Sequence, residues 1–374
     1  MVVLLGGLIG RETAPNPALA TLPISLMTVG VALTSIPAAL IMQRIGRRRG
    51  FFLAWVIATL SAMLAFYAVM VSSFALFCLA TLIMGAYNAF VMQYRFAAAE
   101  SVPAGRVSQA VSYVLIGGIV AGVIGPELGM RLSDWLPYGL YSGSFAFLAL
   151  LFAASALLML LFRDTAPLEQ AVRGEARPLK RIIAQPEYLV AVLTAAIGYG
   201  VMSFIMTATP VNMHTAHSFA LGATTLVIQS HVLGMYVPSL FSGWLITRIG
   251  VKRMILTGVG FMLVCMLFAL AGVTFMNFWS SLVLLGVGWN FMFVGGTTLL
   301  TGAYRPSERF KAQAVNDFSV FGVQAFASLS AGTVLHLGNW NTLILITIPF
   351  LTLVLAAIVW MHRFQSRRVS QAIA

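Results

Sequence analysis

Ala39-Leu-Ile-Met-Gln-Arg-Ile-Gly-Arg-Arg-Arg49 and Gly243-Trp-Leu-Ile-Thr-Arg-Ile-Gly-Val-Lys-Arg253 are the stretches that decide the fold. Both leave the end of an apolar run, share Arg-Ile-Gly followed by basic residues, and lie 204 residues apart. Gln109-Ala-Val111 recurs as Gln313-Ala-Val315 at the same offset. Two independent matches at one offset predict a chain made of two repeated halves.

The sequence around these loops is apolar. Hydrophobic residues make up 60% and charged residues 9% of the 374 residues, and the mean hydropathy is +0.94. Soluble domains carry about 25% charged residues, so the composition predicts an all-α protein that crosses a membrane many times. Apolar runs long enough to span, at about 20 residues each, fall at 22–42, 51–71, 74–94, 108–130 and 140–162. A second set falls at 188–210, 222–246, 254–273, 277–301, 312–336 and 340–362. Met1–Ile9 is apolar but soon meets Arg11, Glu12, Pro15 and Pro17. Its rise of about 14 Å is half a bilayer core, so it is expected to be the outer half of a truncated first helix. That makes twelve helices in two bundles of six: residues 1–162, a linker at 163–187, and residues 188–374 with a short basic tail.

The charge is distributed with a bias. Placing the 42–50 loop in the cytoplasm puts all 22 Lys and Arg there except Arg11 and Arg131. By the excess of positive charge on cytoplasmic loops, the C-terminus is expected to be cytoplasmic. The net charge of +12 is therefore a topology signal for a protein in a lipid bilayer, with no nucleic-acid partner. No phosphate-cradling loop and no Cys-x2-Cys motif is present, and no enzyme is visible. Cys78 and Cys265 lie in apolar runs and read as small buried hydrophobes.

Met202-Ser-Phe-Ile-Met206 and His231-Val-Leu-Gly-Met235 lie on consecutive spans. Residues four apart share a helix face, and thioether and imidazole groups suit soft metals, Cu(I) above all. If the two helices pack side by side, Met202, Met206, His231 and Met235 form a metal site, with Met213, His214 and His217 collecting metal at its outer mouth. With 19 Met in the chain, about one Met-x3-Met pair arises by chance, and Met262 and Met266 make another. His231, however, lies deep in a span, where an ionisable residue is by default functional. Asp317, inside the eleventh span, is expected to pair with a basic loop residue such as Arg44 or Arg47 and lock the inward gate. Asn88, Gln93, Gln229 and Asn290 serve as cavity liners or as interhelical hydrogen bonds.

The two loops resemble the signature of the major facilitator superfamily, Gly-x3-Asp-Arg-x-Gly-Arg-Arg, with Gln43 and Thr247 at the acidic position and Ala39 at the first glycine. The resemblance covers the whole chain. It implies alternating access between two bundles, with Arg44, Gly46, Arg47, Arg248, Gly250 and Asp317 as gating residues. The Met and His pairs also resemble the CcoA-type copper importers of bacterial inner membranes. That likeness implies import of a copper ion or small copper complex as substrate, with no resident cofactor. It further implies a cytoplasmic copper-accepting protein and supply of copper to cytochrome oxidase assembly. Ala14–Pro23 and Trp289–Thr298 are similar to riboflavin-transporting relatives as well, so a facilitator for an organic solute such as riboflavin is one alternative. A non-transporting copper-binding assembly factor is another.

Overall fold

The computed structural model describes residues 2–16, 19, 22–163 and 176–373, and among them all regular structure is helical. The chain runs through α1 (Val2–Thr13), α2 (Leu22–Ile45), α3 (Arg47–Met70), α4 (Phe74–Val91), the short α5 (Tyr94–Glu100), α6 (Val107–Arg131) and α7 (Ser142–Met159). It continues with the short α8 (Leu179–Ile183), α9 (Pro186–Val211), α10 (Leu221–Tyr236), α11 (Ser239–Ile249) and α12 (Val251–Ala271). The last three are α13 (Phe275–Thr301), α14 (Arg309–Leu337) and α15 (Trp340–Ile373). Residues 164–175, most of the expected linker, lie outside the described residues.

Among the described residues ten helical spans are long and apolar enough to cross a membrane, or eleven if α10 and α11, bent by 40°, count as one span. The bend falls at Val237-Pro238, because proline brings no N–H to the helix ladder. The fold is thus an all-α, multi-spanning membrane fold, as the composition predicts. Large apolar side chains such as Leu161, Phe326 and Leu337 stay exposed on it, as expected where the solvent is lipid rather than water.

The repeat seen in the sequence is present in the backbone. Gly46 (φ 83°, ψ 161°) and Gly250 (φ 85°, ψ 155°) end α2 and α11 in the same conformation, one that essentially only glycine adopts. Each turn then starts a new helix, α3 or α12. Gly30 and Gly234 share that offset too. A Cβ at Gly30 would stand 2.2 Å from the Leu82 carbonyl oxygen of α4, and one at Gly234 2.8 Å from the Val283 carbonyl oxygen of α13. Small residues let helix backbones approach where no hydrophobic force distinguishes helix from lipid.

Two compact units can be recognised. The first comprises Met1–Ala97, Val120–Gly174 and Arg309–Ala325. In it α2 packs on α4, and α3 packs on α4 and α7. Trp55, Tyr87 and Phe152 cluster with ring centroids 4.9–5.6 Å apart. The second comprises Ala98–Ile119, Glu175–Glu308 and Phe326–Ala374, built around α13 with α9, α10 and α12 along it. Hence α6 and α14 are each shared. The first turns of α14 belong to the first unit, and the first turns of α6 to the second.

Candidate functional site

Most spans here turn much of their surface outward, so a span buried all round stands at the centre of its unit. In the second unit α9 and α13 are such spans, 78% and 72% buried. Their starts are well specified. Pro186 begins α9, where a missing N–H costs nothing. The Thr274 hydroxyl accepts from the Asn277 N–H at 3.3 Å, and Asn277 Oδ1 accepts from the Thr274 N–H at 3.2 Å, a reciprocal cap that satisfies orphan donors of α13.

Midway along α13 lies an aromatic box. Trp289 stacks on Phe293 at 4.9 Å, and Tyr199 of α9 meets both edge-on, at 5.0 and 5.4 Å. Tyr236 of α10 closes the third side, 6.1 Å from Trp289. Beside the box, Asn290 Nδ2 donates to the Met235 carbonyl and to Ser239 Oγ, both at 2.7 Å, satisfying backbone at the bend. His231 is fully buried, with Nδ1 2.7 Å from the Leu282 carbonyl. The four rings pack against one another, and Asn290 and His231 are the buried polar side chains beside them.

The four residues expected to bind metal lie on α9 and α10. Met202, His231 and Met235 are buried and Met206 is half-buried. The premise that these helices pack side by side fails: each packs along α13, and the two hardly touch one another. Among the described residues no three His, Cys, Asp or Glu side chains converge as a metal site. Of the outer trio, Met213 is fully buried, His217 is exposed with its ring 6.2 Å from Phe278, and the His214 side chain lies outside the described residues. His217 instead lines a cavity of about 610 Å³ with Asn212, Asn339 and Trp340.

At the basic end, Asp317 of α14 is paired within the first unit. Its partner is Arg95 of α5, and Gln93 Nε2 (2.6 Å) and Asn316 Nδ2 (2.9 Å) donate to the same carboxylate. Arg47 lies alongside, donating to Gln313 Oε1 at 3.1 Å with its guanidinium 5.3 Å from the Phe310 ring centre. Asp317, Arg47 and Arg95 are all at least 97% buried. Arg44 and Arg248 are exposed, Arg248 lying over Trp244 at 4.4 Å. In the second unit the first turns of α6 meet α11 differently. Ser108 Oγ donates to the Gly243 carbonyl at 3.1 Å, and Ser112 and Ser242 share a 3.0 Å hydroxyl pair. A Cβ at Gly243 would stand 2.6 Å from Gln109 Cα.

Sequence reasoning placed Asn290 among the candidate cavity liners but passed over Tyr199, Tyr236, Trp289 and Arg95. Trp289 opens the stretch Trp289–Thr298, already similar to riboflavin-transporting relatives, and that was its available signal. Arg95 was legible only as a charge at the end of a span.

The profile of the Major Facilitator Superfamily matches residues 1–229 and again 191–373. The riboflavin transporter RfnT of Brucella anthropi is 37% identical, aligned over 96% of this chain and 90% of its own length. The uncharacterized MFS-type transporter YdeG of Bacillus subtilis is 29% identical over 96% and 87%. The fucose:proton symporter FucP, solved in an outward conformation, superposes with a TM-score of 0.73 at 16% identity, covering 97% of this chain and 93% of FucP. That last likeness concerns the fold alone.

These findings correct the copper reading. The relatives include a riboflavin transporter rather than a copper importer, and no cluster of three His, Cys, Asp or Glu side chains is found among the described residues. Copper as substrate or partner, the copper-accepting protein and the supply of cytochrome oxidase assembly fall with it, as does the likeness to CcoA-type importers. The transporter framework stands, with no catalytic activity. With its whole length matched by the family profile, this multi-pass membrane protein belongs to the major facilitator superfamily.

Proposed function

We propose that the chain is a secondary transporter that moves a small planar organic solute of the riboflavin class across the bacterial inner membrane by alternating access. The observation that carries this reading is the 37% identity to a riboflavin transporter along nearly the full length of both chains. The cluster of Tyr199, Tyr236, Trp289 and Phe293 is consistent with it, since aromatic rings are the groups on which a flat solute stacks.

The moving bodies are the two sequence halves, residues 1–162 and 188–374, joined by the linker. The basic ends of the helices and the C-terminus face the cytoplasm, as the Lys and Arg bias requires. The shared helices then act as latches at that face. Asp317, Gln313 and the first turns of α14 engage Arg47 and Arg95, and the first turns of α6 engage α11. Gly46 and Gly250 give the tight turns that set these loops, with Arg44 and Arg248 at the lipid surface. Release of both latches opens the solute site inward.

The test is riboflavin uptake and growth rescue in a bacterium unable to make or import riboflavin. The expected result is growth on low external riboflavin and saturable uptake of labelled riboflavin. Uptake no greater than in cells with an empty vector, at verified membrane abundance, overturns the reading.

A further inference from the structure

The end of α7 and the first turns of α3 enclose a cavity of about 230 Å³, lined by Arg48, Arg49, Phe52, Met159 and Leu160. All five residues belong to the first unit. Arg48 Nη2 donates to the Leu160 carbonyl, an acceptor that the end of α7 leaves without a helical N–H. That bond ties α3 to α7 and sets the guanidinium at the cavity, with N–H donors to spare. The side chain of Arg49 is exposed and makes no hydrogen bond or ion pair among the described residues.

No carboxylate lines the cavity, and the described carboxylates of the first unit lie elsewhere. Asp317 is held by Arg95, and Glu127 by Arg131 at 2.7 Å. Glu12 and Asp134 precede the starts of α2 and α7, whereas the cavity lies where α2 has ended and α7 ends. The 18 residues of α7 make that separation about 27 Å. In the other half of the repeat the same place is closed by the protein itself. Lys252, 204 positions after Arg48, donates to Gln365 Oε1 at 2.5 Å, and Gln365 Nε2 donates to Glu187 Oε1 at 2.6 Å. The first unit has an open cavity and two guanidinium groups where the second supplies its own acceptors.

The surroundings indicate what fills the cavity. Leu150, Leu157 and Leu161 lie along one exposed face of the α7 segment, a stripe that only lipid can cover favourably in a bilayer. The cavity is smaller than the roughly 300–1,000 Å³ that encloses a drug-sized solute. Guanidinium groups pair with phosphate through several N–H donors at once, and basic pockets between spans take acidic lipid headgroups.

We infer that Arg48 and Arg49, with Phe52, Met159 and Leu160, form a binding site for the headgroup phosphate of one anionic phospholipid. Its acyl chains run along the leucine stripe of α7. This inference is independent of the solute that the protein carries.

The test is native mass spectrometry of the purified full-length protein titrated with phosphatidylglycerol or with phosphatidylcholine, which has no net charge. One phosphatidylglycerol is expected to bind about tenfold or more tightly than phosphatidylcholine, and the preference should shrink as salt is added. Arg48→Gln combined with Arg49→Gln should abolish the preference, whereas Lys252→Gln combined with Arg253→Gln should leave it. Leu160→Trp fills the cavity while keeping both charges and the backbone carbonyl, and it should abolish the preference too, at an unchanged melting temperature. Equal affinity of wild type for the two lipids overturns the inference. So does an equal loss in the two double variants, the attraction then being a diffuse property of all the basic loops. A preference undiminished in Leu160→Trp overturns it as well, because the cavity is then not the site. Wild type that takes up inorganic phosphate in place of either lipid overturns it by assigning the site to a free anion.

Discussion

The first turns of α14 and of α6 occupy equivalent places in the repeat, Gln313 being the counterpart of Gln109. Each is packed in a different unit from the rest of its helix. Their chemistry is unlike. α14 is held by a buried ion pair, Asp317 with Arg95, reinforced by Gln93, Asn316 and the Arg47–Gln313 bond. α6 is held by hydroxyls and by a backbone approach at Gly243 that leaves no room for a methyl group. The repeat sets where the two contacts fall, and the side chains at them make one electrostatic and the other steric. The counterpart of Asp317 is Tyr113, which is 68% exposed, so the charge network exists on one side only.

The contrast can be broken most severely at Asp317. Asp317→Ala strands the Arg95 guanidinium in a buried site, and losing one partner of such a pair costs about 3–5 kcal/mol. A lower melting temperature in detergent, loss of uptake, and reaction of a cysteine placed at the buried Ala312 are expected. Arg95→Gln combined with Asp317→Asn should recover part of the stability, because no charge is then left alone. A double variant no more stable than either single one would deny that these two residues form the latch.

Gly243→Ala attacks the other side by volume instead of charge. Overpacking of this kind costs about 1–3 kcal/mol, and backbone atoms of Ser108 and Gln109 cannot rotate away. Its effect on melting temperature should be independent of salt and of Asp317, adding to that of Asp317→Ala. Marked non-additivity would mean that the two latches act as one.

Gly46→Ala and Gly250→Ala sharpen the comparison as a symmetric control. Both positions need the same positive-φ conformation, so each should lose about 2 kcal/mol, and by similar amounts. A large difference in melting temperature between the two would show that the loops differ in more than side chains. The smallest effect belongs to Met206→Leu. The residue is half-buried on α9, a swap of near-equal volume costs less than about 1.5 kcal/mol, and riboflavin uptake should stay within about twofold of wild type.

Several of these features were legible in the chain. Gly46 and Gly250 announced the paired turns and Asp317 a buried carboxylate in need of a cation, whereas the break at Pro238 falls inside a span read as continuous, 222–246. The partner of Asp317 was not legible. Arg95 stands 222 positions away, and nothing local distinguishes it from Arg44 or Arg47. His231 was visible as a polar group inside a span, but its role depends on the neighbour it faces. The metal reading required α9 and α10 to pack side by side, and α13 stands against both.

By itself, the sequence determined the membrane class, the approximate limits of most spans, the repeat, and the bias of charge to one end. All of these follow from hydropathy, helical length and short-range turn chemistry, which act within a few residues. The tertiary structure alone decided which carboxylate meets which arginine and that Trp289, Tyr199 and Tyr236 share one box. It also decided that His231 turns Nδ1 to Leu282. Those outcomes depend on helix packing between distant segments, where each contact is chosen by the shape and hydrogen-bonding of everything already in place.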